Sequence, residues 1–306
     1  MRKVIVDCDP GHDDIMAILS LLAHPDEIDV LGFTTVCGNN LMPRVTDNLC
    51  RVLSYLNIDK KVACGYDSPL VLDPEPQDAH GESGLDGPIL PSSKLKPIEL
   101  KAVEFIKEMA LEHDKITIVA LAPLTNIAMF IKTFPELKNK IECITLMGGS
   151  RSSGNILKRS EFNFYGDPHS ADIVFKSGIP VIMSDIEICA ECSTSHKIID
   201  GLKGQGKVHD LCYDILNFFS EYNRKRNVDS SPIFDLVPVM HMLHPELFIT
   251  RKCQVDIELD GKYTRGMSVV SEGDNCLLIE HLKDNTLYNN YFLEDLNILE
   301  RNNSGN

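Results

Sequence analysis

The amino-acid sequence predicts an α/β protein with an open, mainly parallel central sheet, helices on both faces and a C-terminal antiparallel meander. Three observations carry that prediction. Apolar β-rich runs alternate with helical runs through the first 185 residues, the rhythm of a parallel sheet covered on both sides. Three further β-rich runs, separated by Asp260-Gly261 and Gly273-Asp274, follow near the end of the chain. Four carboxylates cluster directly after the first strand, where open α/β sheets bind ligands.

The elements follow in order. Lys3–Cys8 is a short β-rich run and Ile15–Ala23 a helix. Val30–Val36 is a second strand, followed by an amphipathic helix through Leu49, Val52, Leu53 and Leu56. Lys61–Cys64 is a short strand. Tyr66 to Pro97 holds six prolines and cannot form a regular element; long loops in compact domains are usually functional, so it is a candidate site wall. Helices at Ala102–Leu111, Leu124–Phe134 and Ser170–Phe175 then alternate with strands at Ile116–Leu121, Ile141–Met147 and Pro180–Met183. Ser195–Leu243 reads as mostly helical. Cys253–Leu259, Thr264–Val270 and Cys276–Leu282 form the meander, and Tyr288–Leu299 a last helix. Without an internal repeat, low-complexity tract or linker, residues 1–306 are expected to form one domain.

Composition narrows the function. The 306 residues carry 45 acidic and 30 basic side chains, a formal charge of −15, which would repel nucleic acid and anionic membranes. At 43 % hydrophobic there is ample material for a core, so general disorder is excluded. The longest apolar stretch, Ile116 to Leu124, is nine residues, well short of the roughly 20 a membrane span needs. Asp7 and Asp9 interrupt the apolar segment after Met1-Arg2-Lys3, which argues against a secretory signal. A soluble, cytoplasmic protein is expected, its ten cysteines mostly buried free thiols. Cys189 and Cys192 have metal-ligand spacing, but no second pair or spaced histidines complete a structural zinc site.

The most informative segment is Val4-Ile5-Val6-Asp7-Cys8-Asp9-Pro10-Gly11-His12-Asp13-Asp14. Four like charges this close are costly without a cation or polar partners. Pro10-Gly11 turns the chain so that Asp13 and Asp14 open a helix, where carboxylates also gain from the helix dipole. An all-oxygen donor set suits a hard cation such as Ca²⁺ or Mg²⁺. It is not an EF-hand: counted from Asp7, the sixth residue is His12 rather than glycine and the twelfth is Ile18 rather than glutamate. A Mg²⁺-dependent phosphohydrolase of the haloacid dehalogenase type also opens with Asp-x-Asp and is the alternative. Its pattern departs at Pro10-Gly11-His12, and Gly166 to Asp172 carries one residue too many for its later acidic motif.

The chain resembles the inosine-uridine-preferring nucleoside hydrolase family over nearly its whole length. The motif Asp7-x-Asp9-Pro10-Gly11-x-Asp13-Asp14 is similar to the family's defining one. Thr34 to Asn39, His80-Gly81-Glu82-Ser83-Gly84-Leu85-Asp86-Gly87, Pro123 to Asn126, Met147-Gly148-Gly149, Glu161-Phe162-Asn163 and Asp167-Pro168 follow in family order. The resemblance implies Ca²⁺-dependent hydrolysis of the N-glycosidic bond of a ribonucleoside to ribose and free base, through an oxocarbenium-like transition state. It implies that Asp9, Asp14, the Thr125 carbonyl and Asp235 hold the metal and that Asp9 takes the proton of the attacking water. Asp13, Asn39, Asn155, Glu161 and Asn163 would bind ribose hydroxyls, with Met147 packed near the sugar. A homodimer or homotetramer is expected on the same ground. A non-catalytic nucleoside or ribose binder stays a further alternative.

Departures concern the leaving group. The family's late motif carries His-Asp, whereas this chain reads Pro232-Ile233-Phe234-Asp235. Phe234 could stack on a base. Substitute acids are His80 in the long loop, Tyr222 and Arg224, while His241, His244 and His12 read as packing, surface or structural residues. Glu187-Ile188-Cys189 stands where the family has Asp-x-Thr, which could bring Cys189 to the site. The preferred base is left open.

Overall fold

The computed structural model describes residues 1–75 and 78–304, apart from the side chains of Asp78, Tyr222 and Ser304. The first half contains β1 (Arg2–Cys8), α1 (His12–Leu22), β2 (Ile28–Thr35), α2 (Met42–Tyr55), β3 (Val62–Cys64), α3 (Ala102–Glu112), β4 (Ile116–Ala120) and α4 (Thr125–Thr133). Then come β5 (Ile141–Met147), α5 (Phe162–Gly166), α6 (Pro168–Phe175), β6 (Val181–Ser184), α7 (Ile186–Glu191), β7 (Ser193–Ser195), α8 (His196–Gly201), α9 (Lys207–Arg224), β8 (Ser230–Pro232) and α10 (Leu236–Leu243). The chain finishes with β9 (Phe248–Ile257), β10 (Ser268–Leu282) and α11 (Asn285–Ser304).

Eight strands form one sheet in the order β3-β2-β1-β4-β5-β6-β10-β9. Neighbours run parallel from β3 to β10, and only the β9–β10 pair is antiparallel. The chain reverses direction across the sheet at β1, whose neighbours are β2 and β4. The carboxyl end of β1 is therefore the switch point at which such sheets open a crevice. Alternate residues of β1 feed cores on opposite faces. Val4, Val6 and Cys8 pack with α1, α9, α10 and α11, while Ile5 packs with α3 and α4. Burial on both faces explains why β1, β4 and β5 read as nearly continuous apolar runs.

Two elements differ from expectation. Helix α1 starts at His12, not Ile15, because the Asp14 carboxyl folds back and accepts hydrogen bonds from the Asp9 and Gly11 amides. The expected three-stranded meander is a two-stranded hairpin. Thr264 lies in the connection, and no turn forms at Gly273-Asp274, which sit inside β10. Pairing slips there between Ser271 and Cys276, and the Asn275 side chain stands in for the missing backbone partner. It accepts from Val255 N at 2.8 Å and donates to Val255 O at 3.0 Å. A glycine next to an aspartate thus marks a bulge here rather than a hairpin.

Candidate active site

At the carboxyl end of β1 the Asp-x-Asp-Pro-Gly sequence makes a tight turn into α1, and its acids converge. Asp14 accepts from Asp9 N (3.2 Å) and Gly11 N (3.0 Å), so the first turn of α1 pins the segment that carries Asp9. Asn39, just past β2, donates its backbone N–H to Asp9 Oδ2 at 2.6 Å and its side-chain amide to Asp14 Oδ2 at 3.3 Å. Gly38 must be glycine, because a Cβ would run into the Asp9 carboxylate and Pro123. Asp235 arrives from the opposite side, immediately before α10. Asp13, Asp14 and Asp235 each bring a buried carboxylate oxygen within 4.8 Å of the other two.

That arrangement needs positive charge. Asp9 Oδ1 and Asp13 Oδ1 are buried without a hydrogen-bond partner. Burial first, and then the neighbouring carboxylates, push Asp9 and Asp235 well above the usual carboxylate range. The same causes take Asp13 to about 7, and burial takes Asp14 to about 6. Orphaned oxygens on mutually repelling acids are what a hard divalent cation satisfies, so the residues fit one.

Above the acids lies a cavity of about 100 Å³. It is lined by Asp13, Asn39, Ala79, His80, Leu121, Met147, Asn155, Glu161, Phe162, Asn163, Phe219, Phe234 and Asp235. One end is polar. Glu161 caps α5, accepting from Asn163 N (2.7 Å) and Phe164 N (3.2 Å), and it also accepts from Gly149 N (2.9 Å). Burial nevertheless raises it to about 7. Asn163 Nδ2 donates to the carbonyls of Leu121 and Met147 at 3.1 Å each, which fixes its amide against the wall.

The other end is aromatic. His80, Phe219 and His12 form a stack with centroid separations of 5.1 to 5.4 Å, and Phe234 meets Phe219 edge-on at 6.5 Å. His12 Nε2 lies 2.7 Å from the Asp86 carbonyl, which can only accept, so this nitrogen carries a proton. His12 Nδ1 in turn sits 2.8 Å from His80 Nδ1. One ring nitrogen of His80 is thus engaged by the protein, and Nε2 is the one left for the cavity. Burial depresses both imidazoles, His12 to about 4 and His80 to about 3.

Nine of the residues singled out from sequence therefore line one cavity: Asp13, Asn39, His80, Met147, Asn155, Glu161, Asn163, Phe234 and Asp235. Asp9 and Asp14 stand in the acidic floor. Thr125 begins α4 beside β1, its hydroxyl donating to Asp167 at 2.6 Å. Phe162 and Phe219 were not anticipated. The Phe218-Phe219 doublet on α9 is half-buried rather than core, a distinction its helical spacing does not carry. Cys189 does not reach the site: it is fully buried and its thiol donates to the Phe234 carbonyl. Arg224 turns to Asp200 instead (2.7 Å), and the Tyr222 side chain falls outside the described residues.

The inosine-uridine preferring nucleoside hydrolase family model matches residues 4–291. This chain belongs to that family. It is a hydrolase acting on N-glycosyl compounds, which displaces the phosphohydrolase alternative. The pyrimidine-specific ribonucleoside hydrolase RihA of Escherichia coli O7:K1 is 40 % identical over 273 residues, 87 % of this chain and 88 % of that protein. The enzyme of the same description from Photobacterium profundum is 39 % identical over 275 residues, 88 % of each. Among solved structures, a plant nucleoside hydrolase superposes with TM-score 0.89 at 29 % identity, covering 96 % of this chain and 98 % of that one. The purine-preferring ribonucleoside hydrolase of Gardnerella vaginalis gives 0.91 at 26 %, covering 98 % and 100 %. The nucleoside hydrolase fold thus extends through the antiparallel C-terminal hairpin.

Proposed function

We propose that the protein is a Ca²⁺-dependent ribonucleoside hydrolase that prefers pyrimidine nucleosides and releases ribose and free base. The observation carrying this reading is the cavity itself, with unpartnered carboxylate oxygens at its floor, polar side chains at one end and stacked rings at the other. Asp9, Asp14, Asp235 and the Thr125 carbonyl are the ligands the reading assigns to the cation. When bound, Ca²⁺ supplies the positive centre that orients ribose hydroxyls and lowers the cost of deprotonating a water. Asp9 accepts that water's proton. Asp13, Asn39, Asn155, Glu161 and Asn163 bind the ribose hydroxyls, and their negative potential favours the positive charge that develops on the sugar. Met147 packs against the ribose, while Phe219 and Phe234 hold the base by its faces and edge. His80 stands at the departing base as a neutral ring that stacks and accepts, so it does not take over proton donation from the histidine that Phe234 replaces.

The preference for pyrimidines rests on the relatives named pyrimidine-specific at about 40 % identity. A role in nucleoside salvage, a cytoplasmic location and assembly as a homodimer or homotetramer belong to the same reading; ten free thiols suit a reducing compartment. The test is a panel of ribonucleosides, 2′-deoxynucleosides and p-nitrophenyl riboside offered to Ca²⁺-loaded protein, with Asp9→Ala alongside. Uridine and cytidine should be cleaved faster than inosine, and Asp9→Ala should lower turnover by at least about 10²–10⁴-fold. Ca²⁺ binding without cleavage of any riboside would leave a binding protein, and faster inosine cleavage would overturn the pyrimidine preference.

A further inference from the structure

Asn155 lines the cavity from an exposed loop, in which Ser152, Ser153, Ile156 and Asn155 itself are open to solvent. Solvated loops do not hold a side chain to the sub-ångström tolerance that substrate orientation needs, so something must anchor this one. The anchor lies outside the cavity. Glu187, in the first turn of α7, accepts from Arg151 N at 2.9 Å through one oxygen. Its other oxygen accepts from Ser152 N (2.8 Å), Ser153 N (3.3 Å) and Ser152 Oγ (2.7 Å). Three consecutive amides thus converge on one carboxylate, and hydrogen bonds to an ionised acceptor are roughly twice as strong as neutral ones. The Arg151 guanidinium returns to Asp185 on the same segment. Inside the loop, Gly154 N donates to Lys158 O (3.0 Å) and Arg159 Nη1 to Ser152 O (2.6 Å), linking the clamped residues to those around Asn155.

We propose that Glu187 is a positioning residue that holds Asn155 at the cavity by clamping residues 151–153. This rests on the ribonucleoside hydrolase reading, in which Asn155 binds a ribose hydroxyl. Burial would raise the Glu187 carboxyl, but the bonds from Arg151, Ser152 and Ser153 outweigh it and keep the group below its ordinary value. It is therefore an anion at any working pH, as the clamp requires.

A double-mutant cycle tests it, with Glu187→Ala, Asn155→Ala and the double variant compared on the best ribonucleoside. Each single variant should lose about 10–100-fold in kcat/KM, chiefly through KM, and the double variant should be no worse than Asn155→Ala alone. Glu187→Gln, which keeps one acceptor oxygen, should fall between wild type and Glu187→Ala. Multiplying losses would overturn the proposal, since Glu187 would then act elsewhere. Amide hydrogen exchange gives a second readout that does not depend on turnover. In Glu187→Ala, residues 151–153 and also 154–160 should exchange at least about tenfold faster. Acceleration confined to 151–153 would overturn the link to Asn155. If wild-type protein cleaved no riboside, the functional reading would fail while exchange still decided whether the clamp exists.

Discussion

Asp7 shows how one carboxylate in a cluster can be taken out of the chemistry by its partners. It is fully buried; its Oδ1 accepts from the Thr34 hydroxyl and from Asn126 Nδ2 at 2.7 Å, while its Oδ2 finds no partner. Burial pushes it up to about 7 against those bonds. Asn126 also donates to Thr35 O (3.0 Å) and accepts from Tyr66 N (3.0 Å), so one side chain ties β1, β2, α4 and the loop after β3 together. Asn126→Ala would remove one of two donors from both Asp7 Oδ1 and Thr35 O and the acceptor of the Tyr66 amide, and should cost about 1–3 kcal/mol in urea unfolding. A loss below about 1 kcal/mol would show that water replaces the amide. Sequence brought Asp7, Asp9, Asp13 and Asp14 together because they share one strand–turn–helix, but alternation alone could not separate the latch from the site. Phe219 was illegible for a different reason. A ring on an amphipathic helix looks the same whether it meets a core or a ligand, and only the packing of α9 over His80 decides between them.

At the scale of elements, the parallel half of the sheet was legible because burial on both faces leaves unbroken apolar runs. The C-terminal hairpin was less so, since the Asn275 side chain mimics a backbone partner and hides a bulge behind turn-forming residues. Helix α10 carries a second consequence of burial. His241 packs edge-on against Phe248 with 8 % of its surface exposed, and burial, with Arg2 adding to it, lowers its imidazole to about 4. The folded protein thus keeps His241 neutral where the unfolded chain, titrating near 6.5, takes up a proton. Stability from this group is full above about pH 6.5 and is lost as pH falls toward 4, by about 2 kcal/mol at pH 5. His241→Gln should reduce the difference in unfolding free energy between pH 8 and pH 5 by that amount. An unchanged difference would mean that the ring reaches solvent before the protein unfolds.

The whole molecule must keep its most repulsive feature, the acids around Asp14, at the centre of its sheet while carrying a net charge of −15. Packing alone does not relieve that strain, because Asp9 Oδ1 and Asp13 Oδ1 find no donor in the protein. These acids also join elements far apart in sequence: Asp9 directly follows β1, Asp14 lies in the first turn of α1 and Asp235 precedes α10. A cation between them would therefore crosslink the first strand to the C-terminal third, and its binding energy would count toward folding. At a thousandfold excess over Kd, one site contributes about 4 kcal/mol, on the order of 5–10 °C in melting temperature for a chain of this size. Chelation should lower the melting temperature by that much, and Ca²⁺ should restore it more fully than Mg²⁺, which tolerates irregular oxygen cages poorly. Asp235→Asn should flatten the calcium response while raising the melting temperature of chelated protein, since one repelling carboxylate is gone. A chelated protein that melts where the loaded one does would mean that protons on the carboxyls, rather than a metal, resolve the repulsion.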